Sequence, residues 1–147
     1  MITPQVFKAY MTGIAAIDFE HWHLLKQMDR AYLADSFEDA QSRVDEFINA
    51  WALHHDHEER LMRDIRFPGV NAHIEGHSRL HEIYARLRND ALNGSHTLSS
   101  AKAYIAMVEQ LIRNHIKLGD FQYAEWARLN LKPDELDRLG VGRQLNF

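Results

Sequence analysis

Only 3 prolines and 7 glycines interrupt a chain of 147 residues. Between those breakers the apolar residues recur three and four apart, the period of an amphipathic helix. Four long stretches carry the pattern, predicted over about 18–34, 38–66, 70–92 and 97–130. On the first, His21, Leu25, Met28 and Tyr32 share a face, with Asp18 as the expected N-cap. On the second the stripe is Val44, Phe47, Ile48, Trp51, His54, Glu58, Leu61, Met62 and Ile65, ended by Phe67-Pro68-Gly69. The third carries His73, His77, Leu80, Tyr84 and Leu87 and stops at Asn93-Gly94-Ser95. The fourth turns Ile105, Val108, Ile112, His115, Ile116 and Tyr123 inward. Pro133 stops that helix or opens a short terminal one closed by Gly140, leaving a tail that caps the bundle or serves a partner.

Long helices joined by short turns pack as antiparallel neighbours. The expected fold is all-α: one domain over residues 1–147, an up-down-up-down four-helix bundle with a short C-terminal extension. Composition narrows the function. Without cysteine there are no disulfides, thiolate sites or cysteine nucleophiles. A net charge of −4 argues against a nucleic-acid partner. No apolar run reaches membrane-spanning length, and no secretory signal is visible, so a cytoplasmic location is expected.

The 10 histidines are the informative count. His54 and Glu58 are four apart on a core-facing stripe, and so are His73 and His77. Such neighbours lie about 5–6 Å apart at Cβ and can converge on one ion. His21 and His115 each add an imidazole, and Asp120 a carboxylate. Counting 1.5 Å per residue puts His21 and His54 roughly 20–24 Å from the turn between the first two helices, and His77 and His115 roughly 22–25 Å from the turn between the last two. Glu58 and His77 lie roughly 10–12 Å from the turn between the second and third, so all four helices bring polar residues to about one level. Scattered core histidines have no reason to align so, and buried imidazoles and charges are costly unless paired or metal-bound. His115 and Asp120 are five apart, about 140° around an ideal helix. A wide inward face accommodates this, as would a π-bulge. His23, His57 and His96 read as solvated, and His81 as buried or lying just behind the ligands.

Five imidazoles and two carboxylates exceed the needs of one ion and suit two, three histidines on one, two on the other, with Glu58 and Asp120 shared. With a solvent oxygen as a further bridge, the first ion is six-coordinate. The second is five-coordinate, with a position open to a small molecule. Imidazole with carboxylate suits iron, and by ligand type also admits zinc, copper or manganese. A site richer in histidine than the ferritin-like di-iron bundles is less anionic, which favours binding dioxygen over splitting it.

The segments IDFEH (Ile17–His21), HHDHEERLM (His54–Met62), FPGVNAHIEGH (Phe67–His77) and NHIKLGD (Asn114–Asp120) resemble the hemerythrin family, in particular its single-domain bacterial members. They include every ligand position of the family pattern H, HxxxE, HxxxH, HxxxxD. The resemblance implies His73, His77 and His115 on the six-coordinate iron, His21 and His54 on the five-coordinate iron, and Glu58 and Asp120 as bridges, with an oxo or hydroxo bridge between the irons. It implies reversible dioxygen binding, held as hydroperoxide at the five-coordinate iron, for storage, delivery or sensing rather than catalysis. The protein would be a monomer or small homo-oligomer, with a separate signalling partner if it senses. Competing readings are a di-iron enzyme of peroxidase, oxidase or nitric-oxide-handling type, and a structural metal-binding interaction module. By the same resemblance Ile112 and Tyr123 line the dioxygen pocket, and Leu111 stands where a Trp is frequent. His55 replaces a frequent Phe, which puts a group of ordinary pKa near 6.5 beside the gas pocket.

Overall fold

A computed structural model describes residues 1–94, 96–143, 145 and 147, without the side chains of residues 91–93. The molecule is a helical bundle. After a short α1 (Pro4–Phe7) and a 3₁₀ turn (Lys8–Tyr10) come α2 (Ala15–Tyr32), α3 (Phe37–Asp64), α4 (Val70–Asn93) and α5 (Leu98–His115). A π turn (Ile116–Asp120) joins α5 to α6 (Phe121–Asn130), and α7 (Pro133–Arg138) follows. Helix α3 packs on α2, α4 and α5, and α5 also packs on α2 and α4. No helix among the described residues is long and apolar enough to cross a membrane.

The helix starts follow local chemistry. Ser36 accepts from the amide of Asp39 and Thr97 from that of Ser100, each satisfying an orphan donor of the first turn. The first long helix begins earlier than expected, at Ala15, so Asp18 is not its N-cap. Its buried carboxylate instead reaches back and accepts from the Thr12 amide at 2.6 Å, the Thr12 hydroxyl at 2.8 Å and the Gly13 amide at 2.9 Å. Burial nevertheless lifts its pKa above the ordinary range, outweighing those bonds. Tyr32, expected inward, ends the helix and is exposed, with the Lys102 ammonium over its ring.

The α3–α4 turn is a Schellman motif. The Arg66 amide donates to the Arg63 carbonyl and the Phe67 amide to that of Met62. Arg66 takes the left-handed conformation at φ 60°, where glycine is usual. Pro68 follows at the place where a helix cannot continue. Helix α4 stops at Asn93, and Ser95 lies outside the described residues.

Two apolar clusters hold the bundle. The larger contains Leu24, Leu25, Met28, Phe47, Trp51, Ile105, Val108, Ile112 and Ile116. Ile2 and Phe7 join it from an N-terminal segment that shows no helical periodicity, and Phe147 stacks edge-on against Phe7. The smaller cluster gathers Ile14, Ile17, Met62, Tyr123 and Ala124. The C-terminal extension caps this end: Leu139 and Val141 pack on the cluster, and Val141 pairs with Ile14. Gly140 turns there at φ 66°, and a Cβ on it would sit 3.1 Å from that of Ala15.

Candidate metal centre

Between the two clusters lies a layer of polar side chains. Trp51 of the larger cluster places its ring 5.3 Å from that of His54, and Tyr123 of the smaller one 5.6 Å from that of His73. Helix α2 supplies His21, α3 supplies His54 and Glu58, α4 supplies His73 and His77, and the α5–π junction supplies His115 and Asp120. Their donor atoms form two overlapping groups, each within 4.8 Å: Glu58, His73, His77, His115 and Asp120, and His21, His54, Glu58 and Asp120. The structure thus brings together all seven residues singled out by spacing, divided three histidines to two, with both carboxylates common to the two groups.

All five imidazoles present Nε2. That atom of His21 lies 3.1 Å from that of His54, and the pair His77–His115 repeats the separation. Asp120 turns one oxygen to each group: Oδ2 is 3.2 Å from His21, and Oδ1 is 3.3 Å from His73 and 3.1 Å from His115. Glu58 behaves differently. Its Oε2 lies 3.3 Å from His54 and 3.4 Å from His77, while Oε1 accepts a 2.5 Å bond from the Tyr123 hydroxyl.

Burial alone would raise the Asp120 pKa, but His115, His21 and His73 override it and hold the carboxylate well below its usual range. Burial would likewise lower His54 and His115. Glu58, Glu20 and Asp120 raise the first, and Asp120 and Glu58 the second.

The donor set fits a cation. Among the described residues, Nε2 of His73, Oε2 of Glu58 and both carboxyl oxygens of Asp120 are buried and find no hydrogen-bond partner. Buried polar atoms are rarely left so unless something else satisfies them. Imidazole and carboxylate are ordinary ligands of first-row transition ions.

The π turn corrects the wide-face reading of the fourth helix. Its wider loop brings Asp120 back beneath His115, so both side chains reach the same point. Gly119 makes this possible, because a Cβ there would lie 3.2 Å from Cε1 of both His73 and His115.

Two carboxylates behind the imidazoles escaped the sequence reading. His54 Nδ1 lies 2.7 Å from Glu20 Oε2, and His77 Nδ1 lies 3.1 Å from Glu59 Oε1. An ionised carboxylate only accepts, so each Nδ1 carries the proton and each Nε2 turns its lone pair inward. His57, expected to be merely solvated, is exposed but donates from Nδ1 to the other oxygen of Glu20 at 2.7 Å. Glu20 lies one residue before His21, and its partner on α3 could be known only from the fold.

The three residues expected around a gas pocket take separate places. Ile112 is fully buried in the larger cluster, and Tyr123 is fully buried in the smaller one against Glu58. His55 is buried and stacks on His77, ring centroids 3.5 Å apart and planes within 5°. Burial, reinforced by His77, His54, His115 and His81, pushes its pKa far down, so the ring is neutral where its ordinary value would let it titrate. A groove of about 400 Å³ lined by His73, Leu111, His115 and Gly119 runs beside the three-histidine group. Another of about 210 Å³, lined by Glu20, Leu24, His54 and His57, adjoins the two-histidine group.

A helical bundle with this buried set of imidazoles and carboxylates is a cation-binding domain. The model of the hemerythrin HHE cation binding domain matches residues 12–127, and the chain belongs to the hemerythrin family. Searches of curated proteins and of solved structures find no match.

Proposed function

We propose that this protein is a non-haem di-iron protein that binds dioxygen reversibly, for storage, delivery or sensing, on an up-down-up-down four-helix bundle in the cytoplasm. The observation that carries the reading is the overlap of the donor groups: separate histidines, shared Glu58 and Asp120. One ion would leave part of the set idle, whereas two ions use all of it. His73, His77 and His115 would hold one iron, His21 and His54 the other, with Glu58 and Asp120 serving both. The iron pair would supply the electrons that dioxygen takes up on binding. The chain's own contribution is to aim and to shield. Glu20 and Glu59 fix the imidazoles of His54 and His77, Tyr123 holds one oxygen of Glu58, and the apolar clusters keep bulk water away.

The test is the absorbance of the purified protein, reduced, exposed to air and then freed of oxygen, with elemental analysis alongside. Two irons per chain and a spectrum that returns on removing oxygen are expected. One metal per chain, or zinc alone after expression with ample iron, overturns the di-iron reading. A spectrum that does not return favours the alternative, a di-iron enzyme of peroxidase, oxidase or nitric-oxide-handling type. The polar ring of His55, buried among the ligand imidazoles, is the feature that supports that alternative.

A further inference from the structure

A third pair of imidazoles stands outside the seven-residue cluster. His55 Nδ1 on α3 lies 3.1 Å from His81 Nε2 on α4, the same separation as in the pairs His21–His54 and His77–His115. An ion 2.0–2.1 Å from each of two nitrogens so spaced would see them at roughly 95–100°, an angle within reach of tetrahedral or octahedral coordination. We infer that His55 and His81 form a separate site for a divalent transition cation, bound through these two nitrogens and completed by water.

The surroundings support the assignment. His55 is 2 % exposed and locked by its stack on His77 and its edge contact with Trp51, so its nitrogen is held in place. His81 is half-buried and borders a cavity of about 410 Å³ that it shares with Asp45, Asn49, Tyr84 and Arg88. Water can reach the pair from that side. Asp45 is already bound by both arms of the Arg88 guanidinium, at 2.9 Å each, so it leaves the pair to solvent and does not close it. Burial and the neighbouring His77 lower the pKa of His81 against the opposing pull of Asp56 and Glu59, so its ring favours the neutral form that can ligate a cation. Two imidazoles with open positions suit zinc, copper, nickel or cobalt better than magnesium or calcium, which prefer oxygen ligands.

The site is separate from the proposed iron pair, and one experiment keeps the two apart. Iron-loaded protein is dialysed against micromolar zinc, and iron and zinc are counted together. The expected result is one zinc per chain beyond an unchanged iron content. His81→Gln and His55→Phe should each lose that zinc and keep the iron, whereas His23→Gln, an exposed histidine on α2, should keep both. No bound zinc, zinc that survives both substitutions, or zinc gained only as iron is lost would overturn the site. Failure of the di-iron reading appears differently, as absent iron with the His81-dependent zinc still present.

Discussion

Gly119→Ala adds one methyl at the point where the π turn touches two donor histidines. The new Cβ would stand 3.2 Å from Cε1 of His73 and of His115, and 3.3 Å from Nδ1 of His115. Carbon atoms are content at about 3.5–4.0 Å, so each ring must retreat by about 0.3 Å or more. Overpacking of this kind costs about 1–3 kcal/mol, and replacing a helical glycine by alanine returns about 0.5–1 kcal/mol. The metal-free protein should therefore lose no more than about 2.5 kcal/mol. The metal-loaded protein should lose more, because metal–ligand distances tolerate only about 0.2 Å. Displaced supports of a ligand typically weaken metal binding about 10–100-fold, or about 1.4–2.7 kcal/mol. In a domain of this size that narrows the gap between metal-loaded and metal-free Tm by about 3–11 °C. Thermal melts of both proteins, with and without zinc as a redox-inert probe, measure the gap directly. An unchanged or wider gap, with a more stable metal-free variant, would refute the steric argument and show that the rings yield freely.

Three further substitutions separate the parts of the site. Asp120→Ala removes an oxygen from each donor group, so on the proposed di-iron reading metal content should fall from two ions to at most one by elemental analysis, while His57→Ala should leave it unchanged. Glu20→Gln leaves a single acceptor oxygen for the two imidazoles that now share the carboxylate, and should weaken metal binding about 10–100-fold in a competition titration. An affinity equal to the parent's would show that Glu20 orients nothing. Arg66→Gly relieves a left-handed residue whose side chain is 80 % exposed and, among the described residues, makes a single 3.7 Å ion pair, with Glu135. Stability should rise by about 1 kcal/mol, or about 2–4 °C in Tm, and a lower Tm would mean that the arginine contributes more than its conformation costs.

What could be read from the sequence was whatever depends on spacing along one helix. His54 with Glu58 and His73 with His77 are contacts of the four-residue period, and the depth count from the turns needed only the helical rise. Their convergence in the structure follows from those two regularities. Features that depend on a departure from the period were harder to see. The five-residue step from His115 to Asp120 fits a wide helical face almost as well as a π turn. The π-helical backbone of Ile116–Asp120 decides between them, and it brings Gly119 up against His73 from another helix. The bonds Glu20–His54 and Glu59–His77 cross between helices, over 34 and 18 residues, and no pattern along either helix announces them. Asp18 shows a different failure. Its carboxylate accepts from the amides of Thr12 and Gly13, which precede the helix, and not from the first-turn amides that a capping residue would satisfy. The residue type suggested a cap, but the folding back of Thr12 and Gly13 gives this carboxylate its partners. The same division holds at the centre itself. Ligand identity follows from periodicity, whereas the proton on Nδ1 of His54 and of His77, and with it the direction of those two lone pairs, is set by Glu20 and Glu59, acidic neighbours that only the packed bundle supplies.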